Sequence, residues 1–266
     1  MFIDSHAHID GQLYDEDRTA ILARAAEVGI ELILEICNGD LEQGSLEKGL
    51  ALAAAHSHIY AAVGVHPHDA RLYDDELEAR LCQMCEHPKV LAWGEIGLDY
   101  YYDHSPRDVQ QATFVRQMER ARERNLPILL HIRDADDDTI ELLREHWSDR
   151  GRRAGIFHCF SGSAKLAQAG LDLGFLISFS GNLTFKNAQP LRDIAKSLPL
   201  DSILIETDCP YLSPVPYRGK RNEPAYVIEV ARQLAELHQT TVEEIGRITT
   251  ANFKRLFGMN QNTIHS

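Results

Sequence analysis

Short apolar runs return eight times along this 266-residue chain, each parted from the next by a stretch of helical periodicity. The runs are FID (2–4), ELILEI (31–36), IYAAVG (59–64), VLAWGE (90–95), PILLHI (127–132), AGIFHC (154–159), FLISFS (175–180) and SILIET (202–207). Between them lie patterns such as EDRTAILARAAEVG and RDVQQATFVRQMERARERN. In the second, Phe114, Met118 and Ala121 fall on one face, as a helix covering a sheet requires. Eight strand–helix units predict an α/β fold of the TIM (β/α)8 barrel type, and the length suits one such barrel of about 250 residues. A doubly wound open sheet would use fewer strands, and no Gly-rich phosphate fingerprint follows FID. No Pro/Gly/Ser-rich linker divides the chain, so residues 1–266 read as a single domain. TVEEIGRITTANFKRLFG looks like a closing helix that Gly258 ends.

A barrel of this kind carries its active site at the C-terminal ends of the strands. Asp4, His6 and His8 in the opening FIDSHAHID are two residues apart, so they share a face if the strand persists. Glu95 ends VLAWGE, His131 ends PILLH, His158 ends AGIFH, Asp208 follows SILIET, and His66 in VGVHPH follows the third strand. Any one of these alone is more often a bonded core residue. Their recurrence at equivalent strand ends predicts convergence on one site. Imidazoles with carboxylates and no thiolate suit zinc, manganese, iron, nickel or, more weakly, magnesium. Four histidines and two carboxylates exceed the needs of one hydrolytic ion. Two ions sharing a carboxylate would use them all and would lower the pKa of bound water while stabilising attacking and leaving oxygens. Asp208 would then also serve as base for the attacking water.

The net charge of −13 counts against broad, nonspecific binding to duplex nucleic acid, though not against a local grip on one strand end. Five cysteines, an odd and scattered set, do not make a disulfide framework. Cys82 and Cys85 form a lone C-x-x-C within a helical pattern and read as structural. No run of about 18 apolar residues and no basic-then-apolar leader is present, which predicts a cytoplasmic protein with no membrane contact.

With these residues assembled, the chain resembles the TatD family of metal-dependent deoxyribonucleases in the amidohydrolase superfamily. The likeness rests on FIDSHAHID, GVHPH, GEIGLDYYYDHSPRDVQQATF, LPILLHIRDA, FHCFSG and LIETDCPYLSPVPYRGKRNEPAYV, in that order over nearly the whole chain. It implies two divalent metal ions per chain, with room for a third. His6, His8 and Asp208 would bind one ion, His131 and His158 the other, and Glu95 would bridge. Where other amidohydrolases place a carboxylated lysine, WGEIGLDY holds Glu95. The resemblance further implies magnesium-stimulated 3′-to-5′ exonuclease action on single-stranded DNA or other nucleic-acid 3′ ends. One related branch deacylates D-aminoacyl-tRNA.

Substrate roles fall on the neighbouring motif residues. Arg133 shares the face of His131 if the strand continues, and would fork onto a phosphate. Tyr217, Arg218, Lys220 and Arg221 form a basic loop after the eighth strand; a substrate-gripping role and a structural one balance evenly. LDYYYD offers stacking surface. His66 would position substrate or join a further metal site, while His68 is expected to face away. Cys209, beside Asp208, reads as a buried bystander rather than a soft ligand, and CNGD after the second run offers no ligand. A D-aminoacyl-tRNA deacylase or small-molecule amidohydrolase is the alternative on the same centre, with a non-catalytic metal-dependent binding protein behind it. Oligomeric state and an obligate protein partner are not readable.

Overall fold

The computed structural model describes residues 1–38, 44–149 and 154–259. Within these, all eight apolar runs are strands: β1 (Phe2–Ala7), β2 (Ile30–Cys37), β3 (Ile59–Val63), β4 (Val90–Asp99), β5 (Ile128–Arg133), β6 (Gly155–Phe157), β7 (Leu176–Phe179) and β8 (Ile203–Ile205). They pair in chain order and always in parallel. The intervening helices are α1 (Arg18–Glu27), α2 (Ser45–Ala55), α3 (Asp75–Met84), α4 (Arg107–Glu123), α5 (Asp136–His146), α6 (Ala164–Asp172) and α7 (Gln189–Ser197), with α8 (Val227–His238) and α9 (Val242–Phe257) at the end. This is a TIM barrel. No helix among the described residues is long and apolar enough to cross a membrane.

Local chemistry sets the boundaries. Asp74, Ser163 and Thr241 accept backbone N–H bonds at the starts of α3, α6 and α9. Gly258 ends α9 in the left-handed conformation, as its sequence position foretells. On α4, Phe114, Met118 and Ala121 are buried as the periodicity predicts. Gln117 joins them: its side chain pairs with both the N–H and the carbonyl of Val65 and accepts from Trp93 Nε1.

One layer of the core comprises Ile3, Leu32, Leu34, Ile36, Ala62, Ala92, Leu129, Ile156, Leu176 and Leu204, closed off by Phe253 and Leu256 of α9. Every strand contributes to this layer. The remaining apolar residues pack between strands and helices.

Two strands break the period-two rule, and both breaks matter. Register shifts fall between Asp4 and Ala7 in β1 and between Trp93 and Ile96 in β4. Ile3 and Ala92 belong to the first layer, yet Ala7, Ile96 and Leu98 belong to the layer under the helices. The irregularities therefore swap faces and leave His6, His8, Glu95 and Asp99 pointing inward. Asp4 does not join His6 and His8 as simple alternation predicts. Its carboxylate instead accepts from Thr207 N at 2.8 Å and Thr207 Oγ1 at 2.6 Å.

The seam between β8 and β1 is narrow. It consists of a bridge at Ala7 and Cys209, with Asp208 N donating to His6 O at 2.9 Å and His8 N to Cys209 O at 2.8 Å. Ser5 Oγ adds a bond to Ile205 O, and the Asp4–Thr207 pair reinforces it.

Candidate metal centre

The strand ends deliver the expected side chains to one cavity of about 1210 Å³. His8, His66, Glu95, His131, His158 and Asp208 line it, and His6 lies buried at its floor. Glu95 is the hub. Its Oε1 stands 2.7 Å from His158 Nε2, 3.0 Å from His131 Nδ1 and 3.5 Å from His66 Nε2. Its Oε2 faces His6 Nε2 at 3.4 Å and accepts from Asn38 Nδ2 at 3.1 Å. Beyond His6, the ring nitrogens of His6 and His8 meet at 3.3 Å, and Asp208 Oδ1 lies 3.6 Å from His8 Nε2.

A carboxylate whose two oxygens face separate imidazole groups has the disposition of a bridging ligand. His6, His8 and Asp208 form one close set of donor atoms, and His6, Glu95 and His158 a second. Opposed ring nitrogens at His6 and His8 gain little from each other but both suit a shared cation. The nitrogen and oxygen donors fit borderline and hard divalent ions, so the residues fit the metals the sequence implies.

Electrostatics sharpen the picture. Burial would raise the Glu95 carboxyl, but His158, His66, His6 and His131 outweigh it and hold the group well below its usual range. Burial likewise opposes ionisation of Asp208, yet His8, His158 and His6 keep it below its ordinary value. Burial resists charge on His158 and His131, but Glu95 with Glu206, and Asp99 with Glu95, lift both rings above the ordinary histidine value. His8 is raised against burial by Asp208. His6 and His66 go the other way, His66 to about 4, because burial and neighbouring imidazoles dominate.

Arg133 lies where β5 persists to its end, with its guanidinium 4.0 Å above the Tyr101 ring and 4.9 Å from that of Tyr102. All three line the cavity. Gly97 makes the neighbouring strand contact possible: at φ +138 it sits where a Cβ would lie 2.0 Å from the His131 carbonyl oxygen. The basic loop goes elsewhere. Tyr217 stacks on Tyr226, Arg218 covers Phe185 and donates to Ser213 O, and Lys220 lies 5.9 Å from the Tyr217 ring. Arg221 pairs with Asp17 and bonds to Leu13 O. None of these four is among the residues lining the cavity, because each is drawn to an aromatic ring or a neighbouring loop.

Several residues of the site escape a reading by strand ends alone. His68 does not face away: a 3-10 turn at Pro67–Leu72 brings its Nε2 to 2.8 Å from Asp99 Oδ2. Asp99 and Glu206, both fully buried, stand behind His131 and His158. Asn38, within CNGD, supports Glu95; Gly39 and Asp40 of that stretch lie outside the described residues. Lys48 also lines the cavity. Period-two spacing from Glu95 would have marked Asp99. Cys209 is buried and absent from the lining, whereas Cys159 belongs to it; Cys82 and Cys85 are free thiols flanking the end of α3.

A parallel eightfold barrel with a histidine–carboxylate cluster at its C-terminal rim defines the class of metal-dependent hydrolases. The chain belongs to the TatD family: the family described as TatD related DNase matches residues 3–258. It is 43% identical to the uncharacterised metal-dependent hydrolase YabD of Bacillus subtilis, over 98% of this chain and all of that one. It is 40% identical to the uncharacterised metal-dependent hydrolase YcfH of Escherichia coli K12, over 99% and 98% of the two chains. Among solved structures, the TatD homologue YjjV of Escherichia coli superposes with a TM-score of 0.89 at 34% identity, covering 97% of this chain and 98% of that one.

Proposed function

We propose that this barrel hydrolyses phosphodiester bonds at the 3′ end of single-stranded DNA, served by two divalent cations. His6, His8 and Asp208 would hold one, His131 and His158 the other, and Glu95 both. Such cations activate water near neutral pH and stabilise charge on the phosphate oxygens. Asp208, held ionised by its imidazole neighbours, accepts the proton of the attacking water.

One observation carries the nucleic-acid reading. Arg133 has no acidic partner among the described residues, and its planar fork is held beside the cluster by two tyrosines. A guanidinium fixed in this way suits a phosphate that it can meet with two parallel N–H bonds. Tyr101 and Tyr102 are 58% and 50% exposed, Tyr102 is stacked on His104, and an unpaired base that extends this group of rings gains about 1–3 kcal/mol. With a net charge of −13, the grip is local to the strand end rather than spread along a duplex. The family's description as a DNase supports the same reading.

The test is release of mononucleotides from single-stranded DNA by metal-stripped protein reloaded with Mn²⁺ or Mg²⁺. Glu95→Ala and Asp208→Ala, purified in parallel, are expected to be inactive. Arg133→Ala is expected to raise KM for the oligonucleotide. Undiminished release by both carboxylate variants would overturn the reading and identify a contaminant. Hydrolysis of D-aminoacyl-tRNA without nucleotide release would transfer the centre to ester chemistry.

A further inference from the structure

Two of the three imidazoles on the Glu95 Oε1 side have buried carboxylates behind them, and each uses a different nitrogen. His131 turns Nδ1 to Glu95 Oε1 at 3.0 Å and Nε2 to Asp99 Oδ2 at 3.0 Å. His158 does the reverse: Nε2 faces Glu95 Oε1 at 2.7 Å, and Nδ1 faces Glu206 Oε1 at 3.1 Å. A neutral imidazole has one N–H, and an ionised carboxylate only accepts. Both nitrogens of each ring face a carboxylate, but the one beside Glu95 can bind a cation only without its proton, so in a metal-bound ring the proton sits on the nitrogen facing Asp99 or Glu206.

We propose that Asp99 and Glu206 are positioning residues that fix opposite tautomers in His131 and His158, so that both rings aim a lone pair at the second cation seat beside Glu95. This rests on the metal-centre reading above. A metal-bound histidine with its far N–H on a carboxylate is a general pattern, and losing the carboxylate costs about 10–100-fold in metal affinity.

The acceptors of the two carboxylates are filled differently, which makes the proposal sharp. Asp99 is saturated: Oδ1 accepts from Tyr101 N at 3.0 Å and Tyr102 N at 2.9 Å, while Oδ2 faces both His131 Nε2 and His68 Nε2. In Asp99→Asn the amide oxygen is claimed by the two fixed backbone donors, which leaves the NH₂ facing His131. His131 then accepts at Nε2, moves its proton to Nδ1 and has no lone pair for a metal. Glu206 has a spare oxygen. Oε1 serves His158 Nδ1 and Cys159 N at 2.7 Å, whereas Oε2 has no partner. In Glu206→Gln the amide oxygen stays at the first position and the tautomer of His158 survives.

The same bookkeeping of protons decides a competing use of His66, His68 and His131, whose donor atoms also lie close together. His66 Nδ1 accepts from His68 N at 3.2 Å, and His68 and His131 both direct Nε2 at Asp99. This group presents protons to a carboxylate rather than lone pairs to an ion.

The experiment is Zn²⁺ titration of the metal-stripped full chain, paired with long-range ¹H–¹⁵N spectra that read histidine tautomers. Wild type is expected to take two ions per chain. Asp99→Asn should keep the first and weaken the second by about 10–100-fold, with its His131 proton moved to Nδ1. Glu206→Gln and His68→Gln should each still take two. Wild-type loading by Asp99→Asn, or a Glu206→Gln loss equal to that of Asp99→Asn, would overturn the proposal. So would three ions in wild type falling to two in His68→Gln. If Asp99→Asn does not fold, the wild-type spectrum decides: a Zn²⁺-loaded His131 without a proton on Nε2 refutes the proposal. A wild type that takes no Zn²⁺ would instead sink the metal-centre reading on which it rests.

Discussion

The two sides of the candidate centre are built by different means. His6, His8 and Asp208 hang on the seam where the barrel closes; their side chains touch one another, and the His6 ring stacks on His158 at 3.7 Å, with no buried acid behind His6 Nδ1 among the described residues. His6 and Asp208 are joined through main-chain atoms, His6 Nδ1 is buried without a partner, and Asp208 takes a positive φ of 55°. Left-handed backbone at a non-glycine residue costs free energy and persists only where its surroundings enforce it. The side of His131 and His158 stands on the continuous ladder from β4 to β6, and its rings are set by Asp99 and Glu206. Closure of the chain thus places one half of the centre, and buried acids place the other. Glu95 faces both.

The largest effect expected from this contrast comes from removing residues 1–8. That deletion takes away β1, its ladder with β2, and both halves of the seam with β8. A barrel opened there exposes the edges of two strands and the buried layer behind them. Loss of the cooperative unfolding transition is expected in calorimetry, with both ions lost. A truncated protein that stays folded and metal-loaded would show that closure does not build the first side.

Acid should separate the sides next. A raised histidine keeps its proton to higher pH, and metal binding needs that proton gone. Both rings of the second side are raised, whereas the first side pairs a raised His8 with a lowered His6. As pH falls from about 8 to about 6, the second ion should leave before the first, as read by metal content after dialysis. Loss of the first ion ahead of the second would reverse the contrast.

A smaller, local effect should follow from Thr207→Val. The substitution preserves shape but removes the hydroxyl that donates to Asp4 Oδ2 at 2.6 Å. A buried acceptor left without that donor costs about 1–3 kcal/mol, measurable by denaturant unfolding. The first ion should bind more weakly while the second is unchanged. Equal weakening of both would mean that the seam serves the whole barrel and not one side.

How much of this was legible in the sequence differs between the sides in the same way. The eight apolar runs located the strands, and the polar residues at their ends located the six ligand-type side chains, because a barrel sends all strand ends to one rim. Register was not legible. Simple alternation placed Asp4 with His6 and His8, whereas the shift in β1 turned it to Thr207. The supporting acids were harder still: Asp99 ends β4 and Glu206 directly follows β8, and although spacing puts Asp99 on the face of Glu95, nothing in the sequence says which imidazole either acid will meet. His68 needed a turn geometry that no periodicity encodes. For the basic loop, the charge was plain in the sequence, but its direction depended on Phe185, Tyr226 and Asp17, which are distant in the chain.

The weakest expected effect lies in this basic loop. Arg221 joins the loop after β8 to the segment after β1: it pairs with Asp17 at 2.5 Å and lies 4.5 Å over the Tyr14 ring. It therefore braces the first side from outside the cavity, where solvent reaches it. A pair of this exposure is worth about 0.2–1 kcal/mol, so Arg221→Ala should lower stability by no more than that and leave oligonucleotide KM unchanged. If Arg221 gripped a phosphate, KM would rise while stability held. A rise in KM without loss of stability would return the loop to the substrate and show that the first side, like the second with Arg133, has a cation of its own.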